Sequence, residues 1–125
     1  MLTKIFIKNF TLIDKVELDL LSGFTTVTGD TGSGKSILLN ALSLVIGKRG
    51  SQTLLKNPDI KCVIEAEFNL SNFNIKKFFD DNKLDYFNQT IIRREILPNG
   101  KSRSFVNDTP VNLDVLKKIG ESLID

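Results

Sequence analysis

A chain of 125 residues, 41% hydrophobic and 26% charged, has the composition of one soluble globular domain and is long enough to bury a core. Its net charge of +2 creates no global field for nucleic acid or a membrane surface, although a local basic patch stays open. A single cysteine, Cys62, and the absence of histidine exclude a disulfide framework, a Cys/His zinc site and a histidine-based triad, and fit a reducing cytoplasm.

Lys4 and Lys8 interrupt the apolar residues at the N-terminus, so no signal peptide is visible. The most apolar run, Ile37 to Ile46, is too short to cross a bilayer and is broken by Asn40 and Ser43, which predicts no membrane partner. Thr3 to Lys8 alternates as a strand with Ile5 and Ile7 on one face, and Asn9 to Asp14 reads as a connection with apolar anchors. Lys15 to Leu20 alternates cleanly, with Val16, Leu18 and Leu20 inward and charges outward, as in an antiparallel strand with one wet face. Ser22-Gly23 turns into Phe24 to Thr28, a short β-branched and aromatic run that reads as a buried strand.

Next comes Gly29-Asp30-Thr31-Gly32-Ser33-Gly34-Lys35-Ser36, which fits the phosphate-binding pattern G-x-x-x-x-G-K-S, followed by Ile37. Gly29, Gly32 and Gly34 have no Cβ, so the backbone can curl its N–H groups around phosphate oxygens. A helix opening at Gly34–Ser36 aims its unpaired N–H groups and positive dipole end at the same anion. Lys35 supplies a point charge to the β- and γ-phosphates of a nucleoside triphosphate, and the Ser36 hydroxyl is a ligand for Mg²⁺. Strand, glycine loop and helix come in the required order.

The helix is apolar on most sides, with Leu38, Leu42 and Val45 on one face and Ile37, Ala41 and Leu44 beside it, so burial from more than one direction is expected. Gly47-Lys48-Arg49-Gly50 ends it; Lys48 and Arg49 read as helix-end charges, with a phosphate contact as the alternative. Lys61 to Phe68 alternates with Cys62, Ile64, Ala66 and Phe68 inward, which makes Cys62 a small core residue rather than a nucleophile. Ser71 is placed to cap a helix through about Asn82, with Ile75, Phe78 and Phe79 as its packing stripe. Thr90 to Leu97 and Ser102 to Asn107 form a hairpin around Pro98-Asn99-Gly100-Lys101. The hairpin carries Arg93, Arg94, Lys101 and Arg103, which either touch DNA phosphate or form a solvated face with Glu95 as a local partner; the latter is favoured. Asn112 caps a last helix with Leu116, Ile119 and Leu123 at helical spacing. This order departs from regular βαβ alternation and predicts an α/β fold: a mixed sheet with an antiparallel β portion around the P-loop helix.

On these residues the chain resembles the first lobe of an SMC-like ATP-binding-cassette ATPase head, and within that group the bacterial RecN family of DNA repair proteins. The supporting segments are Ile7 to Ile13, Ser22 to Ile37, Asn40-Ala41-Leu42, Gly47-Lys48-Arg49, Arg93 to Ile96, Ser102 to Asn107 and Thr109-Pro110-Val111. The chain departs from the usual family pattern within the P-loop at Asp30 and Ser33, changes that keep its geometry, and at Lys48 and Asp108, where glycine is common. The resemblance implies ATP and Mg²⁺ as ligands, a C-terminal lobe of the same protein and a second head as partners, and DNA break repair in the cytoplasm at the nucleoid. It also places the loop near Lys8–Phe10 beside the adenine or ribose.

No Walker B run, signature Leu-Ser-Gly-Gly or heptad coiled coil is found, so residues 1–125 read as one lobe that stops before the glutamine-containing loop. With no general base in view, the lobe alone is expected to bind Mg-ATP weakly without turning it over. Two alternatives stand open: the head of another SMC-like or ABC ATPase, and a standalone nucleotide- or DNA-binding module.

Overall fold

The computed structural model describes residues 1–20 and 31–124. Its centre is a six-stranded sheet in the order β2-β1-β3-β4-β5-β6. The strands are β1 (Leu2–Phe10), β2 (Ile13–Asp19), β3 (Cys62–Asn69), β4 (Gln89–Ile96), β5 (Ser102–Val106) and β6 (Thr109–Val111). Every pairing among the described residues is antiparallel. The strand expected at Phe24 to Thr28, on which a mixed sheet depends, lies outside the described residues.

The inward residues follow the period-two pattern. Ile5, Ile7, Leu18, Cys62, Ile64, Ala66, Phe68, Ile92, Ile96 and Val106 are all buried. Helix α1 (Thr31–Val45) lies against β3 and β4, and buries Ala41, Leu44 and Val45. The expectation of burial from several directions is not met among the described residues. Leu39 is 57% exposed, and Lys35, Ser36 and Asn40 are also exposed, so α1 is covered on one side. Helix α3 (Leu113–Ile124) docks Leu116 and Ile119 into the same core, capped by the Asn112 carboxamide, which accepts the Val115 N–H at 2.9 Å.

Local chemistry explains where the elements differ from expectation. The connection expected over Asn9 to Asp14 contracts to a turn at Thr11-Leu12, because Asn9 and Thr11 adopt φ of 57° and 49° and bring the strands together early. Ser71 caps nothing: its N–H and hydroxyl both engage the Asn69 carboxamide, and helix α2 spans only Lys76–Asp81. Its packing residues are as expected, with Ile75 and Phe79 buried and Phe79 edge-on to Tyr86 at 5.5 Å. Strand β6 was not anticipated. It returns from β5 through Asn107 and Asp108 at φ of 47° and 68°, a two-residue turn with both central residues left-handed. The Asn107 carboxamide ties this turn down, accepting the Ile91 N–H at 3.0 Å and donating to the Asp85 carbonyl at 2.9 Å.

The C-terminus of α1 is closed by a paired hydrogen-bond motif. Gly47, at φ 110°, donates to the Leu44 carbonyl at 3.2 Å, and Lys48 donates to the Ser43 carbonyl at 3.0 Å. Helix α3 then packs on this end at close range through Gly120. A Cβ there would lie 2.7 Å from the Ile46 Cβ and 2.8 Å from its carbonyl oxygen, and neither atom can move without shifting the chain. Gly120→Ala therefore separates α3 from the end of α1; urea denaturation is expected to show a loss of about 1–3 kcal/mol.

Candidate functional site

The phosphate-binding sequence falls at the opening of α1. Gly29 and Asp30 lie outside the described residues, while Thr31, Gly32, Ser33 and Gly34 form the backbone of the first helical turn. The helix thus opens at Thr31, before the predicted opening at Gly34–Ser36. Extending the helix adds one backbone hydrogen bond per residue fixed, and no proline bars that pairing here. Lys35 and Ser36 follow, both exposed, and Ile37 turns partly into the core.

This donor set fits a nucleoside triphosphate with its metal. The first turn of α1 contains no acidic residue, so within it nothing competes with an anion for the positive helix end. Among the described residues no cluster of acidic, histidine or cysteine side chains could hold a metal by itself. Mg²⁺ is commonly held by one or two protein oxygens together with phosphate oxygens and water. Lys35 and Ser36 would hold such a pair: the ammonium on phosphate, the hydroxyl on the metal. Lys48 and Arg49 at the far end of the helix are exposed.

The loop at Lys8–Phe10 is committed elsewhere. Phe10 is fully buried, and the buried Asn9 carboxamide donates to the Asn57 and Ile60 carbonyls at 3.0 Å and accepts the Asn57 N–H at 2.7 Å. Asn9 is therefore a clamp on the segment leading to β3, and of the three residues only Lys8 faces solvent. The free thiol of Cys62 is buried in the sheet, and burial pushes its pKa up to about 12, against the lowering charge of Arg94. It is a core residue, as the alternation predicts.

The four hairpin cations do not form one surface. Arg94 is 0% exposed, which withdraws it from any DNA-contact reading. Its Nη1 donates to the Leu44 carbonyl at 2.6 Å and the Lys48 carbonyl at 2.8 Å, and its Nη2 to the Ser102 hydroxyl at 3.2 Å. A strand alternates its faces, so Arg93 and Glu95 lie on the opposite side from Arg94. There Glu95, its side chain 8% exposed, gathers Arg103 at 2.7 Å, Lys61 at 3.2 Å and Arg93 at 3.4 Å. Arg93 also reaches Asp108 at 3.1 Å and lies over the Phe105 ring at 4.2 Å. Lys101 sits exposed at the turn, where Pro98-Asn99-Gly100 forms a three-residue loop with Gly100 at φ 89°. The hairpin sequence shows the charges, but only strand register separates the buried one from the paired ones.

An antiparallel sheet backed by a helix that opens with a P-loop sequence defines an α/β fold of the SMC-head kind. One solved SMC structure, titled for ATP-driven dimerization and DNA-stimulated activation of SMC ATPases, superposes with a TM-score of 0.71 at 22% identity, over 97% of this chain and 78% of that one. The family model for the RecF/RecN/SMC N-terminal domain matches residues 1–124, and the chain belongs to that family. It is 37% identical to the DNA repair protein RecN of Vibrio cholerae and 35% identical to that of Bacillus subtilis, in both cases over its full length. The alignments cover 23% and 22% of those proteins, so the chain spans less than a quarter of the relatives it matches.

Burial pushes the Glu95 carboxyl up, but the hydrogen bonds and charges of Lys61 and Arg103 outweigh it and hold the group below the ordinary glutamate value of 4.5. The unfolded chain therefore binds the proton more readily than the folded one. Stability from this group is complete above about pH 4.5 and is lost as pH falls through the lower folded value. Glu95→Gln is expected to flatten the acid limb of a stability-against-pH curve below that point and to lower stability at neutral pH.

Proposed function

We propose that residues 1–125 form the first lobe of an ATPase head that binds Mg-ATP, in a RecN-type protein of DNA double-strand-break repair. The observation that carries this reading is the G-x-x-x-x-G-K-S sequence at the opening of α1, in a chain whose family match runs from residue 1 to residue 124. In this reading the backbone from Gly29 to Gly34 cradles the phosphates, Lys35 holds the β- and γ-phosphates, and Ser36 holds Mg²⁺, which shields phosphate charge when bound. The uncovered side of α1, with Leu39 exposed, is consistent with a C-terminal lobe of the same protein packing there. The ATP-driven dimerization named for the SMC relative supports closure of two heads on ATP, and the RecN relatives, named as DNA repair proteins, support a role in DNA repair; on this reading the protein works in the bacterial cytoplasm, at the nucleoid.

Turnover belongs to the completed head, because phosphoryl transfer also needs a positioned water, for which this lobe supplies no base. The 125-residue chain is expected to bind a fluorescent ATP analogue in the presence of Mg²⁺ without hydrolysing it in a single-turnover assay. Lys35→Ala should weaken that binding by about tenfold or more, a loss in the range of one charge-assisted phosphate contact. Hydrolysis by the lobe alone, lost in Lys35→Ala, would contradict the division of labour. Unchanged binding in Lys35→Ala would contradict the site.

A standalone DNA-binding module finds little support in the hairpin, since Arg94 is buried and Arg93 and Arg103 are held by Glu95. If the hairpin contacted phosphates, each cation removed would reduce the salt slope of binding by about 0.9. Arg93→Ala and Lys101→Ala are expected to leave both affinity and salt slope for a short duplex unchanged.

A further inference from the structure

Arg94 is the largest fully buried side chain of the described residues, and its guanidinium ends on the backbone of the last turn of α1 and of the turn that follows it. A buried arginine remains charged and normally satisfies its donors, yet this one leaves Nε without a partner. Two of its hydrogen bonds go to the end of α1 and the turn that closes it, at the carbonyls of Leu44 and Lys48, and the third anchors the group to Ser102 on β5. Leu44 lies in the last turn of α1 and Lys48 three residues past its end, where the dipole is negative; the Leu44 carbonyl also accepts the Gly47 N–H.

We infer that Arg94 is a positioning residue for nucleotide binding: by pinning the C-terminus of α1 to β4 and β5, it fixes where the opposite end of that helix presents Lys35 and Ser36. The inference rests on the nucleotide-binding reading above and adds the residue that sets its geometry. The 15 residues of α1 span about 22 Å, so a tilt of about 5° about the pinned end moves the opening by roughly 2 Å. The other constraints on α1 allow such a tilt. Its fully buried residues among those described, Ala41, Leu44 and Val45, lie in its second half, Ile37 and Leu38 nearer the opening are only partly buried against the core, and the glycine seat on α3 lies beyond its end. At the opening, Lys35 and Ser36 are exposed. Apolar contacts permit sliding and rotation, whereas two directed hydrogen bonds from a rigid planar group do not.

The test compares Mg²⁺-dependent binding of a fluorescent ATP analogue by the 125-residue chain and its variants, at a temperature where each is shown to be folded. Arg94→Met is expected to bind about tenfold more weakly, since misplacement by an ångström or more is costly at such sites, and Arg94→Lys to recover at least half of that loss. Phe79→Leu thins the core beside α2 and serves as the control for general destabilisation. It should lower the melting temperature without changing affinity. The proposal is overturned if folded Arg94→Met binds like the wild type, or if Phe79→Leu weakens binding as much. Should Arg94→Met not fold, Arg94→Lys and Ser102→Ala carry the test. Weakened binding in either, with Phe79→Leu unchanged, supports the proposal, and wild-type affinity in both overturns it. Lys35→Ala separates the two readings: wild-type affinity there removes the nucleotide site itself, whereas a loss there beside wild-type Arg94→Met removes only the positioning role.

Discussion

The hydrogen bonds from Arg94 to the carbonyls at and just beyond the end of α1 are the constraint on which the arrangement of helix and sheet depends. Burying a cation costs several kcal/mol unless its donors are met, so the fold must keep those carbonyls within reach of β4. The helix end complies through the glycine turn at Gly47, which bends the chain so that the Lys48 carbonyl points back to the same Nη1 that Leu44 accepts from. Helix α3 then closes over this junction with Gly120 against Ile46. Sheet, P-loop helix and final helix thus meet at one point, and each makes the others' contacts geometrically available.

A second set of polar side chains performs a similar task at the sheet's turns. Asn9 and Asn107 are both in left-handed backbone, where asparagine is tolerated better than most residues, and both spend their carboxamides on distant main chain. Asn9 binds the segment before β3, while Asn107 binds β4 and the loop after α2. These clamps replace apolar packing at places where loops leave the sheet and backbone groups would otherwise lack partners. They also hold the register: a one-residue slip in β4 would turn Arg94 to solvent and bring Arg93 and Glu95 inside.

The outward face of the same sheet carries its charges in balanced form. Glu95 is nearly covered by three cations, and Arg93 is shared between it, Asp108 and the Phe105 ring. A basic patch that looks open to a polyanion in the linear chain is therefore largely neutralised in the folded one. On the nucleotide-binding reading proposed above, the functional weight lies at the opening of α1, where Lys35 and Ser36 are exposed and the first turn carries no acidic residue.

Most of this sheet was readable from alternation, because inward and outward residues repeat every second position wherever one face is wet. The G-x-x-x-x-G-K-S motif, the core placement of Cys62 and the Asn112 cap were equally local and equally visible, since their chemistry is complete within a few residues. What stayed hidden depends on partners far apart in the chain. Ser71 resembles a cap until Asn69 takes its hydrogen bonds, β6 is too short to show a period, and Asn9 resembles a loop residue until the segment around Asn57 arrives beside it. Arg94 is the sharpest case. By itself the sequence determined that three arginines and a lysine gather on one hairpin; only the tertiary structure decided which of them is buried, because the two faces of β4 differ in what packs on them. The inner face meets the carbonyl end of α1, 50 residues away in sequence from Arg94, and the outer face meets water and Glu95's cations.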